Sequence, residues 1–164
     1  GSLGTQNLNV ELQAALNPPA EMKFEIDRFG ITYRQGDKVI QGRNNYDKEV
    51  YNGDIGTIVE ISTDPGRIQV RFEDGRLVDY EPGELDELSL AYAITIHKSQ
   101  GSEFPVVVMP VSIQQFVLLR RNLFYTGITR GRRHVVLVGE KKALKKAVEN
   151  GAAGVRYGGR LARL

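Results

Sequence analysis

Two short, wholly apolar runs in the second half of the chain constrain its fold more than any other feature. Residues 106–109 and 135–138 contain no polar side chain, and helical spacing marks residues 114–130 between them and 140–148 after them. Strands that are apolar on both faces are typical of a parallel sheet covered by helices, since parallel strands need crossover connections. This pattern, with a further helix predicted over residues 91–100, indicates an α/β fold with a buried parallel sheet.

Residues 56–88 have the texture of an all-β module. The turn sequences Asp64-Pro65-Gly66 and Glu73-Asp74-Gly75 separate short strand patterns, which is the spacing of a meander with tight hairpins. Apolar and polar residues alternate over residues 67–72, so one face of that strand is expected to be buried. We therefore predict a small β-barrel, residues 56–88, inserted into one α/β domain that consists of residues 1–55 and 89–164.

The first helix is predicted from the spacing of leucines. Leu8, Leu12 and Leu16 recur at every fourth position, and Pro18-Pro19 follows them. Residues four apart lie on one face of a helix, and proline does not continue a helix. The pattern predicts a helix of about three turns that begins near Thr5 and whose apolar face carries the three leucines.

The composition narrows the classes of function. A net charge of +2 with an isoelectric point near 8.9 is too mild to indicate nucleic-acid binding by itself. The chain has no cysteine and two histidines, so neither a disulfide framework nor a zinc site is predicted.

No apolar run approaches the roughly 20 residues that span a bilayer, and a cytoplasmic location without membrane contact is expected. The opening Gly1-Ser2 and the lack of an initiating Met indicate an engineered fragment.

Small hydrogen-bond donors, a ring and a cation gather just before a glycine in the middle of the chain. Thr95, His97, Lys98 and Ser99 precede Gly101. Glycine lets the backbone approach a ligand closely, and exposed N–H groups beside it suit phosphate oxygens. The segment is therefore a candidate for oxyanion contacts. The alternative is a helix C-cap at Gly101, with His97 and Lys98 simply solvated.

A second segment combines an apolar helix face with a concentration of positive charge. The apolar face consists of Leu118, Leu119, Leu123 and Phe124. Tyr125 is predicted to pack in the core beside it, with packing against a base or ribose as the alternative. An arginine guanidinium is always charged and can donate two parallel hydrogen bonds to phosphate. The alternative is a solvated basic helix end that complements the helix dipole. The arginines concerned are Arg120, Arg121, Arg130, Arg132 and Arg133.

Both segments resemble motifs of superfamily-one DNA helicases, in the form found in the RecD and TraA-like branch. Residues 95–104 resemble motif V, and residues 125–130, Tyr-Thr-Gly-Ile-Thr-Arg, match motif VI without departure. The resemblance implies nucleotide contacts at Gly101, Glu103 and Arg130. Arg130 would be the catalytic arginine finger, which reaches the γ-phosphate of ATP and stabilises the charge of the transition state. The resemblance implies DNA contacts at Thr95, His97, Lys98 and Ser99.

The resemblance also covers the flanks of these motifs. Residues 3–9 look like the entry to the second motor domain of the family, and residues 38–45 and 50–56 look like the run that leads into an inserted Src-homology-3-like barrel. The implied fold is a RecA-like, P-loop-NTPase-type parallel sheet with helices, interrupted by a small all-β Src-homology-3-like barrel. In the family this barrel lies along the DNA strand.

The sequence lacks one motif that an independent ATPase requires. No Gly-Lys pair is followed by Ser or Thr, so the P-loop that holds the phosphates of ATP, and the ligands of Mg²⁺, are expected in a missing N-terminal domain of the parent chain. We expect no metal site here and no ATP hydrolysis by this fragment alone. The implied partners are single-stranded DNA, that missing domain and a protein of a repair complex, with movement from the five-prime toward the three-prime end. Two alternatives stay open: a non-catalytic nucleic-acid-binding module that keeps the motor fold, and a protein-adaptor module.

Overall fold

The computed structural model describes residues 4–64, 66–112 and 121–149. The chain divides into two compact units, Gly1–Lys98 and Ser99–Leu164. An antiparallel sheet forms the body of the first unit, and a pair of parallel strands forms the body of the second. The division falls within the segment that resembles motif V, so the residues of that segment belong to two different units.

Helix α1, Thr5–Leu16, opens the first unit. The helix ends at Asn17, whose N–H donates to the carbonyl oxygen of Gln13 at 2.8 Å. Pro18 comes next, and a proline lacks the N–H that another helical turn would use. The predicted helix and its end are therefore confirmed.

A β-hairpin follows, formed by β1, Glu25–Arg28, and β2, Ile31–Arg34. The two turn residues, Phe29 and Gly30, have positive φ angles of 52° and 76°, as a two-residue type I′ turn requires. Glycine adopts this conformation freely, whereas a bulky residue such as Phe29 does so rarely. The sequence predicted no strands here, because these two strands are short and mostly polar.

Five strands form the antiparallel sheet of the first unit. They are β3 (Lys38–Gln41), β4 (Ile55–Ser62), β5 (Arg67–Phe72), β6 (Leu77–Tyr80) and β7 (Leu88–Leu90). Their order in the sheet is β6-β5-β4-β3-β7. In β5, the side chains of Ile68, Val70 and Phe72 are buried, while those between them are not. The predicted alternation of apolar and polar residues is confirmed.

Every strand of this sheet contributes apolar side chains to one core. Val39 of β3 and Ile68 and Val70 of β5 are fully buried. Tyr33 of β2 joins them, and its hydroxyl donates to the carbonyl oxygen of Leu88 at 2.9 Å. Complete burial of one aliphatic side chain stabilises a fold by about 1.5–3 kcal/mol. The five strands are thus held together mainly by this cluster.

The sheet extends beyond residues 56–88, where the sequence predicted the inserted barrel. β3 pairs with β4 on one side and with β7 on the other. The N–H of Ala91, just after β7, donates to the carbonyl oxygen of Lys38 at 2.8 Å. The strands β4 to β6 alone would leave part of the apolar cluster open, and β3 and β7 cover it. Because each of these two strands has at most four residues, their sequences gave little indication of this pairing.

Residues 91–100 form bends and turns, so the helix predicted there is wrong. Residues 94–96 are three consecutive β-branched residues, whose side chains lose conformational freedom in a helix. In addition, the side chain of Asn9 takes both backbone hydrogen-bonding groups of Ala93. These two bonds fix the backbone of Ala93 beside α1.

In the second unit, β8, Phe104–Val111, runs parallel to β9, Gly131–Gly139. Helix α2, Arg121–Ile128, lies between them in the chain, and helix α3, Lys141–Glu149, follows β9. The predicted parallel strands with a helical connection are confirmed. The predicted helix over residues 114–130 is confirmed for α2, whereas residues 114–120 lie outside the described residues.

The two faces of this parallel pair differ in exposure. Met109 and Val111 are buried, whereas Val108 is 63% and Val136 is 46% exposed. The register places Val108 beside Val136, so these valines share one apolar face of the sheet. Parallel sheets are normally covered on both faces. This exposed apolar face therefore has the character of a surface that packs against further protein.

Candidate functional site

Three of the predicted DNA contacts lie on a short turn at the end of the first unit. The hydroxyl oxygen of Thr95 accepts a hydrogen bond from the backbone N–H of Lys98 at 3.2 Å. Thr95 and His97 are exposed, and Lys98 is half-buried. The turn therefore presents a hydroxyl, an imidazole and an ammonium group within four consecutive residues, which suits contacts with a phosphate backbone.

The backbone just before this turn is held by helix α1. The side-chain amide of Asn9 donates to the carbonyl oxygen of Ala93 at 2.9 Å and accepts from the N–H of Ala93 at 2.8 Å. The neighbouring Tyr92 donates its hydroxyl hydrogen to a carboxylate oxygen of Asp37 at 2.8 Å. Residues 92 and 93 are thus fixed by three hydrogen bonds from other parts of the unit.

Asp37 is a fully buried carboxylate that gathers hydrogen-bond donors. The side-chain amides of Gln13 and Asn17 donate to it at 2.6 and 2.7 Å, and the N–H of Arg34 donates at 2.7 Å. Hydrogen bonds to an ionised group are stronger than neutral ones. Burial, and then the hydrogen bond to Asp37 and its charge, raise the pKa of the Tyr92 phenol to about 12. The phenol is therefore a stable donor at neutral pH.

These contacts correct the predicted face of α1. Leu16 is 68% exposed, while Asn9, Gln13 and Asn17 are between 4% and 8% exposed. The buried face is thus polar and lies one residue further along the chain than the leucine stripe. The signal was present, because the three amide residues also recur at every fourth position. A polar stripe is ordinarily assigned to solvent, and only its partners reveal that it is buried.

A glycine of the first unit lies close to the other end of the turn. A Cβ atom added at Gly53 would be 3.9 Å from the carbonyl oxygen of Lys98. Gly53 has a φ of +102°, a conformation that other residues rarely adopt. Its N–H donates to the carbonyl oxygen of Gln41 at 2.9 Å. The loop before β4 is therefore fixed to the sheet where it passes Lys98.

The remaining residues of the motif V segment belong to the second unit. Ser99 is only 6% exposed, and its carbonyl oxygen accepts from the N–H of Ser102 at 3.1 Å. Gly101 has a φ of +86°, and an added Cβ would meet nothing within 4 Å. Backbone conformation, rather than space, thus favours glycine at this position. No helix directly precedes Gly101, so the alternative of a helix C-cap there is wrong. Because Ser99 is buried, it is a weaker candidate for a DNA contact than the exposed Thr95 and His97.

Glu103, a predicted nucleotide contact, forms an ion pair with Arg132. The Nε atom of Arg132 lies 2.6 Å from a carboxylate oxygen of Glu103, and both side chains are at least half exposed. Exposed ion pairs contribute little to stability, since water screens them. A phosphate group could therefore replace Glu103 as the partner of Arg132 at small loss.

Arg130, the predicted finger, follows α2 at the turn into β9. Its guanidinium donates to the carbonyl oxygens of Thr126 and Ser102, both at 3.3 Å, and to the hydroxyl of Thr129 at 3.4 Å. Its own carbonyl oxygen accepts from the N–H of Phe104 at 2.8 Å. The backbone of Arg130 is thus fixed to the start of β8, while its side chain makes only long hydrogen bonds to neutral oxygens. Within the described ranges, no carboxylate pairs with this guanidinium.

Tyr125 does not occupy the core position that was predicted. It is 68% exposed, whereas Phe124 is 7% exposed. Adjacent residues of a helix point about 100° apart, so a helix that buries Phe124 turns Tyr125 toward solvent. The prediction of a core tyrosine is wrong.

Two further findings concern metals and membranes. Within residues 4–64, 66–112 and 121–149, no group of three or more His, Asp or Glu side chains is arranged to hold a metal ion. In the same part of the chain, no helix is long and apolar enough to cross a membrane.

Two family models match most of the described chain. Residues 8–72 match the ATP-dependent RecD-like DNA helicase SH3 domain, and residues 90–138 match the UvrD-like helicase C-terminal domain. The first match contains most of α1, the hairpin and strands β3 to β5. The second contains both predicted motif segments, β8 and all but the last residue of β9.

Curated relatives resemble the chain over most of its length. It is 37% identical over 143 residues to the ATP-dependent RecD2 DNA helicase of Deinococcus radiodurans. This match covers 87% of this chain and 19% of that protein. It is 35% identical over 117 residues to the RecBCD enzyme subunit RecD of Mycolicibacterium smegmatis, covering 71% of this chain and 20% of that protein. The chain thus spans about a fifth of the length of these relatives.

Solved structures of Pif1 helicases share the fold. The Bacteroides Pif1 helicase in complex with ADP-AlF3 and ssDNA superposes with a TM-score of 0.59 at 21% identity, over 91% of this chain and 43% of that one. A Pif1 structure described for DNA unwinding at forked dsDNA gives a TM-score of 0.57 at 25% identity, over 81% and 37%. The predicted α/β fold with a Src-homology-3-like part is confirmed. The chain belongs to the RecD-like DNA helicases, in which it corresponds to the SH3 domain and the UvrD-like C-terminal helicase domain.

Proposed function

We propose that this chain is the C-terminal motor segment of an ATP-dependent DNA helicase. In this role Arg130 is the arginine finger, and the turn that contains Thr95, His97 and Lys98, followed by Ser99, forms part of the single-stranded DNA track. The sequence placed the motor domain at residues 1–55 and 89–164 around a barrel of residues 56–88, and we propose that the barrel also includes the flanking strands β3 and β7. The proposal rests on one observation at Arg130. Its backbone is hydrogen-bonded to the start of β8, while its guanidinium has no carboxylate partner among the described residues.

The chemistry of phosphoryl transfer explains why such an arginine is useful. Negative charge spreads over the transferred phosphoryl group in the transition state, and a positioned guanidinium stabilises that charge. The three hydrogen bonds of the Arg130 guanidinium are 3.3–3.4 Å long and go to neutral acceptors. Charge-assisted bonds to phosphate are stronger than these. Exchanging the first set for the second is therefore favourable when a nucleotide is bound.

ATP and Mg²⁺ require residues that this chain does not supply. No P-loop sequence occurs in it, and no metal-binding group is found in the described residues. We place the P-loop and the Mg²⁺ ligands in another part of the parent protein, and we expect no ATP hydrolysis from this chain alone. The exposed apolar face around Val108 and Val136 supports the view that further protein covers this unit.

The proposed DNA track follows from exposure and charge. Thr95 and His97 are exposed and Lys98 is half-buried, and such groups bind the sugar-phosphate backbone without reading its sequence. A similar Pif1 structure was determined with ssDNA, and several relatives are named as subunits of the RecBCD enzyme. We therefore propose single-stranded DNA and a protein of a repair complex as partners of the parent in the cytoplasm. Movement from the five-prime toward the three-prime end is proposed from the family resemblance alone.

The test is the DNA-stimulated ATPase activity of the full-length parent with Arg130→Ala. We expect kcat to fall by about 10³-fold, the lower end of the effect of arginine fingers, with little change in the concentration of DNA that gives half-maximal stimulation. Arg133→Ala is the matched control, because Arg133 is an exposed arginine of the neighbouring strand. Full activity in the Arg130→Ala parent would refute the assignment of the finger.

A further inference from the structure

The polar face of α1 makes an unusual contact with the chain just before the proposed DNA track. The amide of Asn9 both donates to and accepts from the backbone of Ala93, at 2.9 and 2.8 Å. A primary amide has the same donor and acceptor arrangement as a peptide group. Asn9 therefore holds Ala93 in two directions at once, as a neighbouring strand would.

A second anchor acts on the adjacent residue. The hydroxyl of Tyr92 donates to Asp37 at 2.8 Å, and two further amides of the α1 face, Gln13 and Asn17, donate to the same carboxylate. The backbone of Asp37 is itself fixed, because its carbonyl oxygen accepts from the N–H of Ile58 in β4 at 2.9 Å. The anchor of Tyr92 is thus connected to the central sheet.

This polar face is fully hydrogen-bonded. Burying amides and a carboxylate is unfavourable unless each is hydrogen-bonded, and a leucine stripe lies one residue away on the same helix. In the described residues, every buried side-chain nitrogen and oxygen has a partner. Hydrogen bonds have defined directions, so a satisfied polar network fixes the register of two segments more strictly than aliphatic packing does.

The backbone that this network fixes lies directly before the turn that contains Thr95, His97 and Lys98. A chain spans at most about 3.6 Å per residue, so Thr95 lies within about 7 Å of the anchored Ala93. At the far end of the turn, Gly53 approaches the carbonyl oxygen of Lys98. The exposed Thr95 and His97 therefore lie on a short segment that is held by hydrogen bonds before it and passes close to Gly53 after it.

We propose that Asn9, Asp37 and Tyr92 are positioning residues for the DNA track. They hold the backbone before Thr95 so that Thr95, His97 and Lys98 meet the DNA strand without being ordered first. The inference rests on the proposed function, since it assumes that this turn contacts DNA. A segment that is ordered in advance binds more tightly, because binding does not have to order it.

The test compares variants of the full-length parent in a titration of ATPase activity with single-stranded DNA. We expect Asn9→Ala to raise the half-saturating DNA concentration by about 10-fold and Tyr92→Phe by about 5-fold, as loss of hydrogen bonds to a backbone group and to a charged group suggests. Asn9→Asp keeps the acceptor for the Ala93 N–H but places a carboxylate oxygen against the Ala93 carbonyl oxygen, so it should raise the half-saturating DNA concentration at least as much as Asn9→Ala. kcat at saturating DNA and KM for ATP should stay within about twofold of the wild type.

Tyr33→Phe is the matched control. It removes a hydroxyl that is more deeply buried than that of Tyr92, and whose hydrogen bond to the Leu88 carbonyl lies in the sheet and not at the turn. Its half-saturating DNA concentration should equal that of the wild type. If it rises as much as that of Tyr92→Phe, general loss of stability explains both results and the positioning role is wrong.

His97→Ala and Lys98→Ala test the DNA track separately from the positioning role of Asn9, Asp37 and Tyr92. If these variants raise the half-saturating DNA concentration but Asn9→Ala and Tyr92→Phe do not, the DNA track stands and the positioning role is refuted. If none of the four variants changes it, the DNA track itself is refuted, and the positioning role with it. Tyr92→Phe keeps the ring in place, so the test stands even if Asn9→Ala prevents folding.

Discussion

Glu87 shows how a single buried carboxylate links two loops of the first unit. Its side chain accepts from the amide of Gln41 at 2.8 Å and from Asn45 at 3.2 Å, and it pairs with Arg43 at 3.0 Å. Burial acts to raise the pKa of Glu87, but these three partners outweigh it, and the net pKa is below the ordinary value of 4.5. The charged form is therefore the one that the fold stabilises.

This lowered pKa makes a prediction about acid stability. Since the pKa is lower in the folded than in the unfolded chain, the stabilisation is present at neutral pH and is lost as pH falls from about 4.5 through the folded value. Glu87→Gln should reduce the free energy of unfolding by about 1–3 kcal/mol at pH 7, and the difference from the wild type should shrink as pH falls below about 4.5. Urea unfolding at a series of pH values measures it.

The control for this prediction is Glu73→Gln, which changes an exposed carboxylate in the turn between β5 and β6. It should leave the free energy of unfolding nearly unchanged at every pH. A Glu87→Gln chain that keeps the same deficit at pH 7 and at pH 3 would show that the loss is one of packing and not of charge.

The close approach of strands β4 and β5 at Gly56 leads to a prediction about the stability of the first unit. Gly56 of β4 is buried, and an added Cβ would lie 2.5 Å from Val70 Cγ1 and 2.9 Å from the carbonyl oxygen of Arg71. Neither neighbour can move freely, since Arg71 pairs with Thr57 in the ladder. Gly56→Ala should destabilise the first unit by about 1–3 kcal/mol, the usual range for overpacking.

Gly83→Ala is the control for this prediction. An added Cβ at Gly83 would meet nothing within 4 Å, so the free energy of unfolding should stay within about 0.5 kcal/mol of the wild type. Thermal or urea unfolding of the two variants gives the comparison. Equal stability of Gly56→Ala and the wild type would contradict the close approach of β4 and β5.

The elements differ in how far the sequence predicted them. The end of α1 and the alternation in β5 follow from local patterns, proline after the helix and a period of two in the strand, and both are confirmed. The buried face of α1 was wrong, because the amide stripe is satisfied by partners far along the chain. The helix over residues 91–100 was wrong partly for the same reason, since the backbone of Ala93 bonds with Asn9, and partly because the β-branched residues 94–96 disfavour a helix. Local sequence does not contain such long-range hydrogen bonds.

For the molecule as a whole, the family resemblance suggested roles for residues whose spacing alone did not distinguish a functional site from a solvated surface. From the residues alone, the cluster before Gly101 and the arginines around α2 were each open to a solvated alternative. The UvrD-like helicase C-terminal domain model covers both regions. The roles of Arg130, Gly101 and Glu103 stay predictions, because the chain spans about a fifth of the length of its relatives and the P-loop is proposed to lie elsewhere in the parent.

The central claim is that Arg130 acts on the transition state of ATP hydrolysis. The most direct measurement is the affinity of the full-length parent, with and without Arg130→Ala, for ADP with aluminium fluoride, which mimics that state, and for ADP alone. A residue that stabilises only the transition state should affect only the mimic. We predict a loss of at least about 10²-fold for the mimic and little change for ADP. Equal affinity of both proteins for the mimic would contradict the claim.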